Sequence, residues 1–260
     1  MGVPYTLLDV PYGDDDAAVA YLADQLRALA DTLAKEFGTP FDENKLREAI
    51  HRENETRALL LEFFDLFATH AYPSEMITQL YLMMGVHLMM GTKEFLDVVR
   101  GMNEEIRSYP EFTGKKLLWI HLLPFYQETL NSYFNASGKY EVLAGDIVLD
   151  YMEEMDEAHP FEALAKKMLH NVFNGTYDRK AEAVAELVNR THADGVIHFC
   201  HWGCKQASGG SILLKEKMQQ MGVPMLILDG DGVDRRNSHD GQIRTRLEAF
   251  LELLDAGAEK

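Results

Sequence analysis

From Asp14 onward, apolar positions recur with a helical period. Val19, Leu22, Leu26, Leu29 and Leu33 fall on one face, Asp14 to Asp16 offer N-cap carboxylates, and Gly38 with Pro40 stops the run. A second helix is predicted over 42–69, with Leu59, Phe63, Leu66 and Phe67 as its apolar stripe and Pro73 beyond its end. Ser74 and Thr92 are the expected caps of two more. Ahead of these helices, 3–10 reads as a short strand ending at Pro11.

After Gly114 the period changes. Residues 116–122 form a buried strand pattern, and 140–143, 195–199 and 224–228 are further strands. Helical patterns at 125–134, 161–173, 179–191 and 211–221 separate or follow them, and an amphipathic helix over 244–254 closes the chain. Strands alternating with helices imply βαβ units. The expected fold is therefore α/β, a helical region followed by a Rossmann-like, doubly wound parallel sheet. The expected division runs 1–113 for the strand and helices and 114–260 for the sheet domain.

Charge narrows the partners. With 42 acidic against 25 basic residues the net charge is −17, and no Lys/Arg stripe reverses it locally, so neither nucleic acid nor an anionic membrane surface is an expected partner. The longest stretch free of Asp, Glu, Lys and Arg, 76–92, contains Gln79 and His87 and is shorter than the ~20 apolar residues of a spanning helix. Residues 1–11 lack the basic start of a secretory leader and are interrupted by Pro4, Asp9 and Pro11. The two cysteines, Cys200 and Cys204, make no disulfide framework, and a reducing cytoplasm is the expected location.

In an open parallel sheet ligands bind beyond the carboxyl ends of the strands. Two such segments are rich in chemistry, 198–210 and 229–237. Cys204 precedes a helix N-terminus, where a thiolate is favoured and a soft metal or a nucleophilic role becomes available. Cys200, within a strand, reads as a buried small side chain. His198, Cys200, His201 and Cys204 also allow a zinc reading, although their spacing differs from paired Cys-x-x-Cys knuckles and neighbouring strand residues point to opposite faces. Ser208, Gly209 and Gly210 open a helix whose bare backbone can hold a phosphate or carboxylate, or serve as an ordinary cap. Asp229, Asp231 and Asp234 do not follow the calcium-loop spacing. Met83, Met84, Met89 and Met90 read as core, and the acidic run from Glu153 to His159 as a solvated face.

Asp194-Gly-Val-Ile197, Cys204-Lys-Gln-Ala-Ser-Gly-Gly210, 222–231 and 242–252, taken in this order, resemble the C-terminal domain of the 2-hydroxyacyl-CoA dehydratase and benzoyl-CoA reductase family. The resemblance implies two Rossmann-like lobes with a 4Fe-4S cluster between them, held by three cysteines of a subunit. Cys204 occupies the position of the third, Cys200 a position often filled by a non-ligand, and most of the N-terminal lobe is missing, with 3–10 as its last strand. The ligand set in this chain is thus expected to be incomplete.

The activity implied is removal of water from a 2-hydroxyacyl-CoA thioester after one electron converts the thioester carbonyl to a ketyl radical. The implied partners are the acyl-CoA, a second homologous subunit or another copy of the chain, and an ATP-dependent activator. Ser208 and His201 become candidate catalytic residues. Lys205, Ser208, Gly209, Gly210, Asp231 and Arg246 become candidate substrate contacts, with Asp231 and Arg246 expected to pair across the mouth of the site. A related iron-sulfur reductase or electron-transfer protein, and a zinc-binding structural subunit, are the other readings.

Overall fold

A computed structural model describes residues 5–237 and 239–257. Its first half is helical: α1 (Asp16–Phe37), α2 (Glu43–Phe67), α3 (Met76–Met89) and α4 (Lys93–Ile106). Local chemistry sets their ends. The Asp15 carboxylate accepts from the Ala18 N–H at the start of α1, and Gly38, at φ 63°, closes it in the left-handed conformation a glycine adopts without strain. Asp42 caps α2 and Thr92 caps α4. Ser74 does not cap α3. Its hydroxyl instead donates to the Val142 carbonyl, 3.3 Å away, and Glu75 stands at the cap without a side-chain bond.

The second half alternates β1 (Lys115–Ile120), α5 (Glu128–Phe134), β2 (Tyr140–Ala144), α6 (Pro160–Leu169), α7 (Tyr177–Thr191), β3 (Gly195–His201), α8 (Lys205–Gly209), α9 (Ser211–Gln220), β4 (Met225–Gly230) and α10 (Asp240–Gly257). All pairings are parallel, in the order β2-β1-β3-β4. This is the doubly wound sheet the alternation implied. Its topological switch point lies between β1 and β3, since β2 is added on one side and β4 on the other. α5 starts later than the periodicity predicts because a turn, with the Gln127 N–H donating to the Pro124 carbonyl at 2.9 Å, intervenes.

Helices cover both faces, which is why the strands read as continuous apolar runs. α7 and α9 lie on one face with α2 packed against α7, and α5 and α10 lie on the other. Along β3 the faces alternate. A side chain at Gly195 would meet Phe250 and Leu254 of α10, whereas His198 and Cys200 lie together on the α7 side. Trp119 and Phe199 stack at 6.3 Å, and one hydrophobic core runs from Phe63, Phe64 and Phe67 of α2 through Leu118 and Ile197 to Leu247. The change of secondary structure near 113 is no break in packing. A smaller cluster joins Val19 and Leu22 of α1 to Phe161, Ala165 and Leu169 of α6.

One sequence expectation fails in the N-terminal region. No strand forms over 5–10; the first two residues of that expected strand, Val3 and Pro4, lie outside the described residues. The Asp9 backbone bonds instead to the Gln25 amide of α1, accepting at 3.0 Å and donating at 2.8 Å, because the segment reaches no open edge of the sheet. The apolar stripe of α1 is buried only at its start, and Leu33 is 45% exposed. Among the described residues no helix is long and apolar enough to cross a membrane.

Candidate functional site

The carboxyl ends of the strands bring one polar residue each to a common edge: His121 after β1, Asp146 after β2, His201 at the end of β3 and Asp231 after β4. Asp231 is held by its own turn. Its carboxylate accepts from the Val233 and Asp234 N–H groups, both at 2.9 Å, and from Asn237, which lowers its pKa to about 2. The Gly232 N–H donates to His201 Nδ1 at 3.0 Å, so the neutral ring carries its proton on Nε2. Asp231 Oδ1 lies 3.8 Å from the same Nδ1.

Arg246 does not pair with Asp231. Its guanidinium reaches Asp229 at 2.6 Å and also donates to the Ile227 carbonyl, anchoring α10 to β4. Asp229 still belongs to the strand and projects toward the closing helix, whereas Asp231 has already entered the turn. At 43% and 56% side-chain exposure the Arg246–Asp229 pair is worth about 0–1 kcal/mol.

Cys204 sits at the cap position of α8, half-buried, with its carbonyl accepting from the Ser208 hydroxyl at 3.0 Å. Ser208, Lys205 and Gly209 are exposed. Gly210 is buried for a packing reason: a Cβ there would come within 2.0 Å of the Tyr177 ring. Cys200 is buried, its sulfur 3.9 Å from His198 Nδ1 and 3.8 Å from the Ala207 carbonyl, and burial pushes its thiol pKa up.

Beneath these residues lies a group that sequence reading missed. Lys180 of α7 and Asp146 face one another at 2.8 Å with 0% and 1% of their side chains exposed. The other Asp146 oxygen accepts the His121 backbone N–H at 2.8 Å, in a residue whose φ is 72°. Lys180 Nζ also lies 4.7 Å from the Phe173 ring and 5.7 Å from the Tyr177 ring. Burial, with help from Lys180 and against Asp146, lowers the His198 pKa to about 4, and burial also lowers that of His121. The available signal was positional: Asp146 directly follows a strand, but Lys180 looks like any basic residue near a helix start.

A cavity of about 980 Å³ lies elsewhere, between α7, α9 and the segment after β2. Several of its charged residues are paired, Arg179 with Asp14, His170 with Glu153 and Lys217 with Glu182. At the carboxyl edge of the sheet, where Asp231, His201 and Asp146 have the partners given above, the His121 ring keeps a buried Nδ1 that no described residue hydrogen-bonds.

Comparison with known proteins bears on this edge. The family described as 2-hydroxyglutaryl-CoA dehydratase, D-component, matches residues 1–254. The chain belongs to this family. It is similar to the alpha subunit of (R)-2-hydroxyglutaryl-CoA dehydratase of Acidaminococcus fermentans, 22% identical over 99% of this chain and 56% of that protein. The alpha subunit of lactoyl-CoA dehydratase of Anaerotignum propionicum is also 22% identical, over 98% of this chain and 64% of its own length. One benzoyl-CoA reductase subunit of Thauera aromatica is 23% identical, but over only 58% of this chain. The chain thus spans between half and two-thirds of the length of the dehydratase subunits it matches. At the family level these relatives support a lyase-like role.

Measured against the iron-sulfur cluster that the family resemblance implied, the residues present do not fit. Among the described residues no group of three or more His, Cys, Asp or Glu is placed to hold a metal ion. Cys200 faces His198 inside the fold, Cys204 stands at the helix cap, and His201 is turned to the Gly232 backbone. The same divergence removes the ligand set of the zinc reading.

Proposed function

We propose that this chain forms one wall of the acyl-CoA site in a 2-hydroxyacyl-CoA dehydratase-type lyase. The observation that carries the reading is the family match over residues 1–254, which includes the segment from Cys204 to Gly210 at the carboxyl edge of β3. The dehydratase relatives align with nearly the whole chain and the reductase relative with little more than half, which favours dehydration over reduction.

A 2-hydroxyacyl thioester resists elimination because its β-proton is weakly acidic. A cluster would supply an electron to the thioester only if ligands from a further polypeptide segment, a homologous subunit or a second copy joined Cys204, the one residue of this chain in register with a family ligand. What this chain's own residues do is simpler. The β3–α8 turn presents Cys204 and the exposed Ser208 and Lys205 to the thioester, His201 offers an Nε2–H fixed in direction by Gly232, and the buried face of β3 keeps water away from one side. An ATP-dependent activator is part of the same proposal.

The test combines binding and iron analysis. Titration calorimetry of the purified chain with a short 2-hydroxyacyl-CoA and with free CoA is expected to give saturable binding that is stronger for the thioester. After anaerobic reconstitution with iron and sulfide, the chain alone is expected to lack dehydratase turnover even with activator, ATP and reductant, because two cysteines cannot complete the ligand set. Absence of acyl-CoA binding would overturn the proposed function.

A further inference from the structure

His121 stands at the switch point of the sheet, where β1 and β3 diverge, and three observations set it apart. Its backbone is in the left-handed region at φ 72°, a conformation that costs a non-glycine residue about 1 kcal/mol or more and persists only when surroundings enforce it. The enforcing group is visible: Asp146 Oδ1 accepts the His121 N–H at 2.8 Å, and Lys180 Nζ lies 2.8 Å from the other Asp146 oxygen as its ion-pair partner in the core. The His121 side chain, in a residue 7% exposed, has a buried Nδ1 that no described residue hydrogen-bonds.

A buried polar atom left without a partner is costly in a folded protein, by about 1–3 kcal/mol. Here it belongs to a proton-exchanging ring at the edge where ligands of such sheets bind. We propose that His121 is the proton-exchanging side chain at this edge of the sheet and that Asp146 and Lys180 are the residues that position it. The inference rests on the acyl-CoA reading above.

The ring is kept in its base form by its neighbours. Burial disfavours the imidazolium, as do Lys180 and His201, while Asp146 and the Phe199 carbonyl favour it, and the balance is a pKa below the ordinary value. His198 adds another neutral ring on the same side. In an elimination, a C–H and a C–O bond break as a C=C bond forms. The proton taken up at the imidazole is returned to the departing hydroxide as water, so the ring ends neutral and no oxidant or reductant is consumed in that proton transfer.

The test is a histidine-labelled nitrogen–proton NMR titration of the whole chain, with the His121 signal assigned by its loss in His121→Gln. The expected wild-type midpoint lies below the ordinary histidine value of about 6.5. Lys180→Met should move it up, Asp146→Asn should move it down, and Lys180→Arg should restore the wild-type midpoint. A midpoint unmoved by either charge change would overturn the positioning role. Should the buried variants not fold, the wild-type chain decides: a short 2-hydroxyacyl-CoA is expected to shift the His121 ring signals. Binding without any such shift sinks the inference and leaves the proposed function standing, whereas absence of binding sinks the proposed function itself.

Discussion

Lys180 Nζ lies 2.8 Å from Asp146 Oδ2, and solvent reaches neither side chain. The pair joins the first turn of α7 to the end of β2, two elements on either side of the switch point. An ion pair so placed is expensive to desolvate and more expensive to break.

Lys180→Met and Asp146→Asn alone are therefore each expected to cost about 3–5 kcal/mol of stability, because each leaves an uncompensated buried charge. The double variant should lose much less than the sum. Urea denaturation of the three variants measures the coupling, and strictly additive losses would contradict the isolation of the pair.

His198 makes stability pH-dependent in a defined direction. Its pKa falls from 6.5 in the unfolded chain to about 4 in the folded one, so between those values the unfolded state binds more protons. The contribution is fully present above the unfolded value and is lost as pH falls toward 4, by on the order of 3 kcal/mol. His121, shifted the same way, adds to the slope. His198→Phe should flatten the difference between denaturation midpoints taken near neutrality and near about pH 4.5; an unchanged slope would assign the effect elsewhere.

Neighbouring glycines at the start of α9 should respond oppositely to alanine. At Gly210 a Cβ would meet the Tyr177 ring at 2.0 Å, and Gly210→Ala is expected to destabilise by about 1–3 kcal/mol. At Gly209 nothing lies within 4 Å, and Gly209→Ala is expected to be stabilising by about 0.5–1 kcal/mol. Thermal melts of the two variants distinguish a packing role for Gly210 from a general need for bare backbone in this turn.

The two thiols should differ sharply in reactivity. Cys204 stands half-buried at a helix cap, whereas Cys200 is buried and its thiolate is disfavoured by burial. A disulfide reagent on the native chain is expected to modify Cys204 first, with Cys200 reacting only as the chain unfolds. Cys204→Ser should abolish the fast phase and Cys200→Ser should preserve it; the reverse would mean that the buried face of β3 opens readily.

Much of the architecture was legible in the order of residues. Alternation of apolar strands with amphipathic helices after Gly114 gave the parallel sheet, because a strand buried on both faces has to be apolar throughout and a crossover helix has to be apolar on one. Asp42 and Thr92 announced helix starts because capping is local chemistry, settled within a few residues. Cys204 could be placed beyond the end of β3 for the same reason, its neighbours in sequence being its neighbours in space.

What escaped the sequence depends on contacts between distant segments. Whether 5–10 pairs as a strand is decided by the presence of a free sheet edge, and α1 offered its Gln25 amide instead. Arg246 chose Asp229 over Asp231 because only the strand residue projects toward α10. His121, Asp146 and Lys180 come from three separate elements, and each alone resembles an ordinary polar residue. Only the order β2-β1-β3-β4 brings them together beneath the switch point, because strand pairing joins residues by register rather than by distance along the chain.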